Sequence, residues 1–448
     1  MTHVAIIGGG FSGTMQAINL LRHDGPRATL IEARPHPGRG VAYSAAHPDH
    51  LLNVRASNMS AIPDDPGHFV RWLEARGLGN ARTFVPRLTY GDYLTALLDE
   101  KMAKAGDRLT IVQGAVVALE RQADTILTLA DGRTLQADTA VLAIGNLPPH
   151  APPGLDPALL GLPAYAEDPW AASTAESLDD DDTVVLVGTG LTMVDVALLL
   201  DASGFRGRIL ALSRRGLLPH THANPPLPPV VESERPPTTL SELTRTVRER
   251  AAALGWQAAV DGLRPYTQSL WRSWDVEERA RFLRHLRPWW DIHRHRLSPP
   301  VGARIDAMVS TGRLEVVSGK IESIVPDDQG VRVTWRSRGG EAVEQTRAAR
   351  LVNCTGPQGD LGRSNDPLLR DLLAKGHIRP DENNLGIDVD AEAQTIAADS
   401  APNSWLLALG PMTRGAFWEI VAIPDIRVQT WAVARKLSHA HWVGGEGL

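Results

Sequence analysis

The sequence predicts an α/β fold, and three features predict it. Short, mostly apolar runs such as Val4–Ile7, Thr139–Ile144 and Thr183–Val187 end at or beside glycines, as buried parallel strands do. One unit of strand, glycine turn, helix and strand occurs twice, at 4–31 and again at 183–212. Residues 240–308 keep a helical spacing of apolar groups with no strand among them.

In chain order, the first unit is strand Val4–Ile7, turn Gly8–Gly13, helix Thr14–Arg22 and strand Ala28–Ile31. Arg108–Val112, Ala115–Leu119 and Thr125–Leu129 read as antiparallel strands, with a turn at Asp131-Gly132. Thr139–Ile144 is a further buried strand ending at Gly145. After a proline-rich break at 148–163 the unit repeats as Thr183–Val187, Gly188 and Gly190, helix Leu191–Leu200 and strand Arg208–Leu212. Proline density at 219–237 excludes regular structure there. Beyond the helical block come Leu314–Val317, Ile321–Val325, Val331–Trp335 and Leu351–Thr355, then Trp405–Leu409, a glycine turn and a last helix.

Bulk properties exclude several classes. The chain has 448 residues, enough for two or three domains, and a net charge of −6, which gives no footing for nucleic acid or an anionic membrane. Cys354 is the one cysteine, so no dithiol pair is available for redox chemistry. The start lacks a secretory pattern, and Val184–Leu200 is broken by Gly188, Gly190 and Asp195, so a cytoplasmic protein with no membrane span is expected. His220, His222, His293 and His295 lack carboxylate or thiol partners at ligand spacing, so no metal is expected.

Two motifs carry the chemistry. Gly8-Gly9-Gly10-Phe11-Ser12-Gly13 follows a strand and opens a helix. Gly8 permits the turn, Gly10 lets a pyrophosphate approach, and Gly13 lets helix and strand pack closely. The helix N-terminus offers N–H groups to the phosphates, and Glu32, ending the second strand, can accept from ribose hydroxyls. The second motif, Gly188-Thr189-Gly190-Leu191-Thr192-Met193, has Met193 in place of the third glycine. Its next strand ends in Ser213-Arg214-Arg215 rather than in an acid, which suits a 2′-phosphate and argues for NADPH over NADH.

Beyond these motifs stand Pro37-Gly38-Arg39-Gly40-Val41-Ala42-Tyr43-Ser44, Leu51-Leu52-Asn53-Val54, Phe84-Val85-Pro86-Arg87, Tyr90-Gly91, Arg294-His295-Arg296, Trp418-Glu419 and Pro424-Asp425-Ile426-Arg427. On these residues the chain resembles, over nearly its whole length, a bacterial family of FAD/NAD(P)-binding proteins. That family is a branch of the two-dinucleotide-binding-domain flavoproteins, distantly similar to flavin-containing and N-hydroxylating monooxygenases. The resemblance implies two Rossmann-type domains, the second inserted into the first. The expected divisions are 1–170 for the first part of the FAD domain, 171–356 for the NAD(P) domain with a helical insertion at 220–305, and 357–448 for the return. Gly145 and Gly356 would mark the crossings.

The resemblance also implies a flavin lined by Arg39, Gly40, Val41, Tyr43, Leu52 and Asn53, with Asn53 the candidate polar group at the ring. Val116 and Gly145 join the FAD set; Gly188, Gly190, Leu191, Thr192, Ser213, Arg214 and Arg215 form the NADPH set. Gly410, Arg414 and Gly415 precede a last helix whose N-terminus would face the flavin. Asp425 and Arg427 are as apt to bridge each other as to bind a ligand. Trp271, Trp274, Trp289 and Trp290 could roof a site, although paired tryptophans more often serve a core. The leading expectation is a monooxygenase in which NADPH reduces FAD, O₂ forms a flavin hydroperoxide, and a small nucleophile such as an amine is oxygenated. A flavoprotein reductase or dehydrogenase is the alternative. A non-catalytic flavoprotein whose redox state governs a partner, docked through 219–237, is a third reading.

Overall fold

The structure, a computed structural model, describes residues 2–22, 25–44, 47–224 and 235–439. The first unit opens with β1 (His3–Ile7), α1 (Phe11–Arg22) and β2 (Arg27–Glu32). A long helix, α2 (Arg87–Ala105), leads to β3 (Leu109–Gln113), which lies parallel to β2. This differs from the antiparallel strand expected at Arg108–Val112. A helical crossover joins β3 to β2, and such a crossover returns the chain in the same direction. β4 (Val116–Arg121), β5 (Thr125–Leu129) and β6 (Thr134–Ala137) form a separate antiparallel sheet, and β7 (Thr139–Leu142) then pairs parallel with β1.

From β7 the chain crosses into the second unit. There β8 (Tyr165–Ala166), β9 (Thr183–Val187), α3 (Leu191–Ala202) and β10 (Arg208–Ser213) precede the helical insertion. The insertion includes α4 (Arg287–Arg294) and is followed by α5 (Pro299–Ser310). β11 (Leu314–Asp327) runs unbroken through two expected strands, with a register irregularity against the next strand between Ile321 and Ser323. β12 (Gly330–Ser337), β13 (Val343–Ala348) and β14 (Arg350–Asn353) complete a sheet of order β13-β12-β11-β10-β9-β14-β8. The chain then returns through β15 (Gln394–Ile396) and β16 (Pro402–Ala408) to the first sheet, of order β15-β16-β7-β1-β2-β3, and ends its described part in α6 (Ile423–Leu437). The second unit is thus inserted in the first. Because β8 pairs with β14, the second sheet begins before residue 170, where the sequence placed the division. Leu147 and Gln358 bridge at the two crossings.

Alternation along each strand fills two faces. Val4 and Ile6 of β1 pack with Met15, Ile18, Tyr90 and Val433 on one side. Ala5 and Ile7 pack with Leu127, Leu142 and Leu369 on the other. The seam between units is polar and specific. Arg87 on α2 grips Asp195 on α3 at 2.8 and 3.0 Å, with side chains only 17% and 7% exposed, and His50 Nε2 lies 2.9 Å from the Asp195 carbonyl. His222 Nε2 lies 2.8 Å from the Asn53 carbonyl oxygen.

A buried pair stripped of one partner leaves an uncompensated charge, at a cost of about 3 kcal/mol or more. Arg87→Ala and Asp195→Ala should therefore each lower the denaturant midpoint strongly. The double variant Arg87→Met/Asp195→Leu should recover most of the loss. Additive losses in a double-mutant cycle would show that the pair does not hold the seam.

Candidate functional site

The first motif has the shape of a phosphate cradle. Gly8 has φ of 102°, and a Cβ there would collide with the carbonyl oxygen of Ala143 at the end of β7. A Cβ on Gly13 would overlap the Gly8 carbonyl oxygen. Gly10 differs: its missing Cβ would meet only the Cα of Gly40, at 3.5 Å, so its bareness serves something other than packing. The Glu32 carboxylate accepts from Gly9 N–H at 2.6 Å and from Arg34 N–H at 2.8 Å, which holds it at the head of the turn. This donor and acceptor set fits the diphosphate and ribose of FAD.

The other residues expected at the flavin gather around this turn in part. Arg39 is drawn to α2, donating to Asp92 at 2.7 Å and to Thr95 at 3.2 Å, while Gly40 faces Gly10. Val41 is exposed, Leu52 is buried, and Tyr43 packs edge-on to Tyr90 with ring centroids 4.8 Å apart. Tyr90, also 6.5 Å from Phe11 of the motif, is fully buried, and its hydroxyl has no hydrogen-bond partner among the described residues. The same is true of Arg427 Nε, although another nitrogen of that guanidinium donates to the Ser60 carbonyl at 2.7 Å. Unpartnered buried polar atoms are costly, and a polar ligand would satisfy them. Val116 starts β4, buried beside Leu129, and Gly145 turns with φ of 72° where the chain leaves the first unit.

The return segment closes on the same motif. A Cβ on Gly410 would strike Ser12 Oγ, and Gln429 of α6 accepts from Gly410 N–H at 2.8 Å. Gly415 is hemmed in by Asp381. Arg414 has no carboxylate at ion-pair distance among the described residues, its Nε is unpartnered, and burial pulls its guanidinium down to about 10. Asp425 and Arg427 do not bridge each other, because Asp425 is taken by Arg264.

The second motif repeats the construction with one change. Gly188, at φ of 118°, abuts the carbonyl of Cys354 at the end of β14 as Gly8 abuts that of Ala143. A Cβ on Gly190 would meet nothing within 4 Å, so the first turn of α3, with Leu191 and Thr192, is open to a diphosphate. Met193 fills the hydrophobic core beside Val184 and Leu186, which seats α3 by a side chain where α1 is seated by a glycine. Thr189 Oγ1 lies 2.9 Å from Ser213 Oγ and donates to the Leu217 carbonyl at 2.6 Å. The two arginines part company. Arg215 donates to the carbonyls of Arg284 and His285 at 3.1 and 3.3 Å, inside a π-helical turn of the insertion, whereas Arg214 is exposed.

The insertion supplies what sequence reasoning missed. Trp271 and Trp274 are buried with Phe282 in a core shared with Trp418, so they do not roof a cavity. Trp289 is exposed, and Trp290 donates to Glu419 at 2.9 Å. Arg264 and Arg294 also reach Glu419, at 3.2 and 3.0 Å. No local signal links Arg264 to a residue 155 positions away. Burial works against ionisation of Glu419, but Arg294, His295, the Trp290 indole and Arg264 outweigh it and hold the carboxyl below its usual range. A cavity of about 560 Å³ lies between the insertion and the second unit, lined by Leu217, Leu218, Trp289, Ile292, His293 and Val309 among others. His220 and His293 stack there at 4.5 Å, and no cluster able to hold a metal occurs among the described residues. No described helix is long and apolar enough to cross a membrane.

Gly13→Ala should lower the melting temperature of FAD-free protein, because backbone must move, whereas Gly10→Val should fold and fail to take up FAD; a folded Gly10→Val protein that retains FAD contradicts the cradle. Glu419 carries a depressed carboxyl, so its contribution to stability is complete above its ordinary value of 4.5 and is lost as pH falls through the lower folded value. Hydrogen exchange in 287–294 should accelerate in that acidic window in the native chain, and an equal acceleration in Glu419→Gln would assign the effect elsewhere.

Residues 5–147 match a family model described as FAD-NAD(P)-binding. No curated protein matches the chain in sequence. Among solved structures, reduced ornithine hydroxylase PvdA from Pseudomonas aeruginosa superposes with a TM-score of 0.65 at 15% identity, covering 98% of each chain. DfoA from Erwinia amylovora, a cadaverine monooxygenase solved with FAD, gives a TM-score of 0.68 at 11% identity over 98% of this chain and 94% of that one. Thioredoxin reductase from Lactococcus lactis gives 0.56 at 12% identity over 98% and 99%. The chain thus carries an FAD-NAD(P)-binding segment within the two-dinucleotide-domain flavoprotein fold, which amine hydroxylases and thioredoxin reductases share.

Proposed function

We propose that the protein is an NADPH-using FAD monooxygenase whose substrate is a small nucleophile, an amine by preference. One observation carries the choice between oxygen and an internal electron acceptor. Cys354 is the chain's sole cysteine, and it lies buried at the end of β14, where burial pushes its thiol up. Thiol relay needs an accessible thiolate, and a dithiol needs two. The fold shared with amine hydroxylases adds support, as does the helical insertion packed over the return segment.

Bound FAD would supply hydride acceptance and dioxygen activation, and the chain's residues do the rest. Gly8–Gly13 and the N-terminus of α1 hold the diphosphate, and Glu32 holds the ribose. Gly188, Gly190, Leu191 and Thr192 hold the second diphosphate, and Arg214 with Ser213 reads its 2′-phosphate. Arg215 secures the insertion instead. Asn53, whose backbone carbonyl oxygen lies 2.8 Å from His222 Nε2, would be the polar group at the flavin ring. Arg414, a buried cation with no carboxylate at ion-pair distance among the described residues, suits an anionic group of flavin or substrate.

A charge-assisted phosphate contact is worth about 1.5–3 kcal/mol, or roughly ten- to a hundredfold. Arg214→Ala should reduce the NADPH to NADH preference by that factor, while Arg215→Ala should leave the ratio near its starting value. Equal effects would place both arginines on the phosphate. The activity itself is tested by supplying NADPH, dioxygen and a panel holding ornithine, lysine and cadaverine. A hydroxylated amine formed in proportion to NADPH consumed supports the proposal. NADPH oxidation recovered wholly as hydrogen peroxide across the panel, with fast reduction of a quinone acceptor, would favour the reductase reading.

A further inference from the structure

Glu419 stands out among the described residues. It is the only acid there with a left-handed backbone, at φ of 69°, and it is 3% exposed. A residue with a Cβ pays for that conformation, and burial of a carboxylate costs more, so its surroundings must over-determine it. They do, and the partners come from the insertion. Oε2 accepts from Arg264 at 3.2 Å and has Arg294 Nε at 3.0 Å, at ion-pair distance though off the hydrogen-bonding line. Oε1 accepts from the Trp290 indole at 2.9 Å and has His295 Nε2 at 3.9 Å. The flanking backbone is also clasped. Trp271 donates to the Gly415 carbonyl at 2.7 Å and stacks on Trp418 at 4.6 Å, and Gln268 donates to the Trp418 carbonyl. The second arm of Arg264 reaches Asp425, in the first turn of α6.

Two acids on the return segment, Glu419 and Asp425, therefore meet two guanidiniums of the insertion, Arg264 and Arg294. Within this set of four the formal charges cancel, and the Arg414 guanidinium stands near enough to interact with Glu419. The four cancel beside the N-terminus of α6, whose partial positive charge favours a developing anion. An unbalanced charge at that spot would reach the ligand through a low-dielectric interior.

We propose that Glu419 is a positioning residue: its clasp with Arg264, Arg294 and Trp290 holds the insertion against the first turn of α6 and sets the charge felt by the flavin there. The inference rests on the reading that α6 faces the flavin. The clasp explains why a glutamate, and not a glycine, occupies a left-handed position: the carboxylate is needed, and the backbone strain is the cost of delivering it.

The test uses the full chain loaded with FAD, and reads the flavin midpoint potential and hydrogen exchange. Glu419→Gln leaves an excess positive charge and should shift the potential upward. Arg264→Gln leaves an excess negative charge and should shift it downward. A merely structural role would move both in one direction or neither, so same-sign or absent shifts overturn the electrostatic part. Glu419→Gly relieves the backbone while deleting the carboxylate. It should raise exchange across 287–294 in FAD-free and FAD-loaded protein alike, and unchanged protection there would overturn the clasp. Native protein that takes up no FAD removes the flavin-facing reading, and the electrostatic part with it, while the exchange result still decides the clasp.

Discussion

The two glycine turns that open the paired units share one contact, in which the first glycine runs so close to a carbonyl that no side chain fits between them. Gly8 lies against Ala143 at the end of β7, and Gly188 lies against Cys354 at the end of β14. In each case the turn after the first strand is pressed onto the strand where the chain leaves its unit. That contact fixes the position of the following helix N-terminus relative to the sheet edge, which is the geometry a diphosphate needs. The crossings between units begin at the same two places, so the binding turns and the topology share one constraint.

The rest of the structure joins these two cradles. Asp195 belongs to the helix that the second cradle opens, and Arg87 begins the long helix that packs beside the first. His222, beyond the turn at 213–215 of the second unit, meets the loop of Asn53. The insertion forms a third link. Arg215 holds its π-helical turn at the second unit, and Glu419 holds its next helix at the return segment of the first. The π-helical turn, Phe282–Leu286, is followed directly by the helix that carries Trp290 and Arg294, and such turns are frequent at functional sites.

Local and periodic features were legible in the sequence. Val4–Ile7 and Thr183–Val187 were readable because each is a short apolar run beside a glycine turn, and Met193 was visible as a departure from it. Direction was not legible for Leu109–Gln113, since strand orientation depends on the helical connection before it rather than on the strand's own residues. The short strand Thr134–Ala137 escaped notice because it is mostly exposed at the edge of a small sheet. Trp271 and Trp274 looked like a roof and are core; composition alone does not say which way a ring points. Arg214 and Arg215 are adjacent and identical in type, so only three-dimensional partners separate them. Glu419 owes its role to partners on a distant block, which no spacing rule reaches.

The central claim is that NADPH at the second cradle supplies two electrons through FAD at the first to dioxygen, one atom of which goes to the substrate while the other leaves as water. The most direct measurement supplies isotopically labelled dioxygen with NADPH and a hydroxylatable amine, and follows the label by mass spectrometry. The account predicts one labelled oxygen atom in each hydroxylated amine. Product whose oxygen derives from water, or NADPH turnover with no label in any organic product, would contradict it.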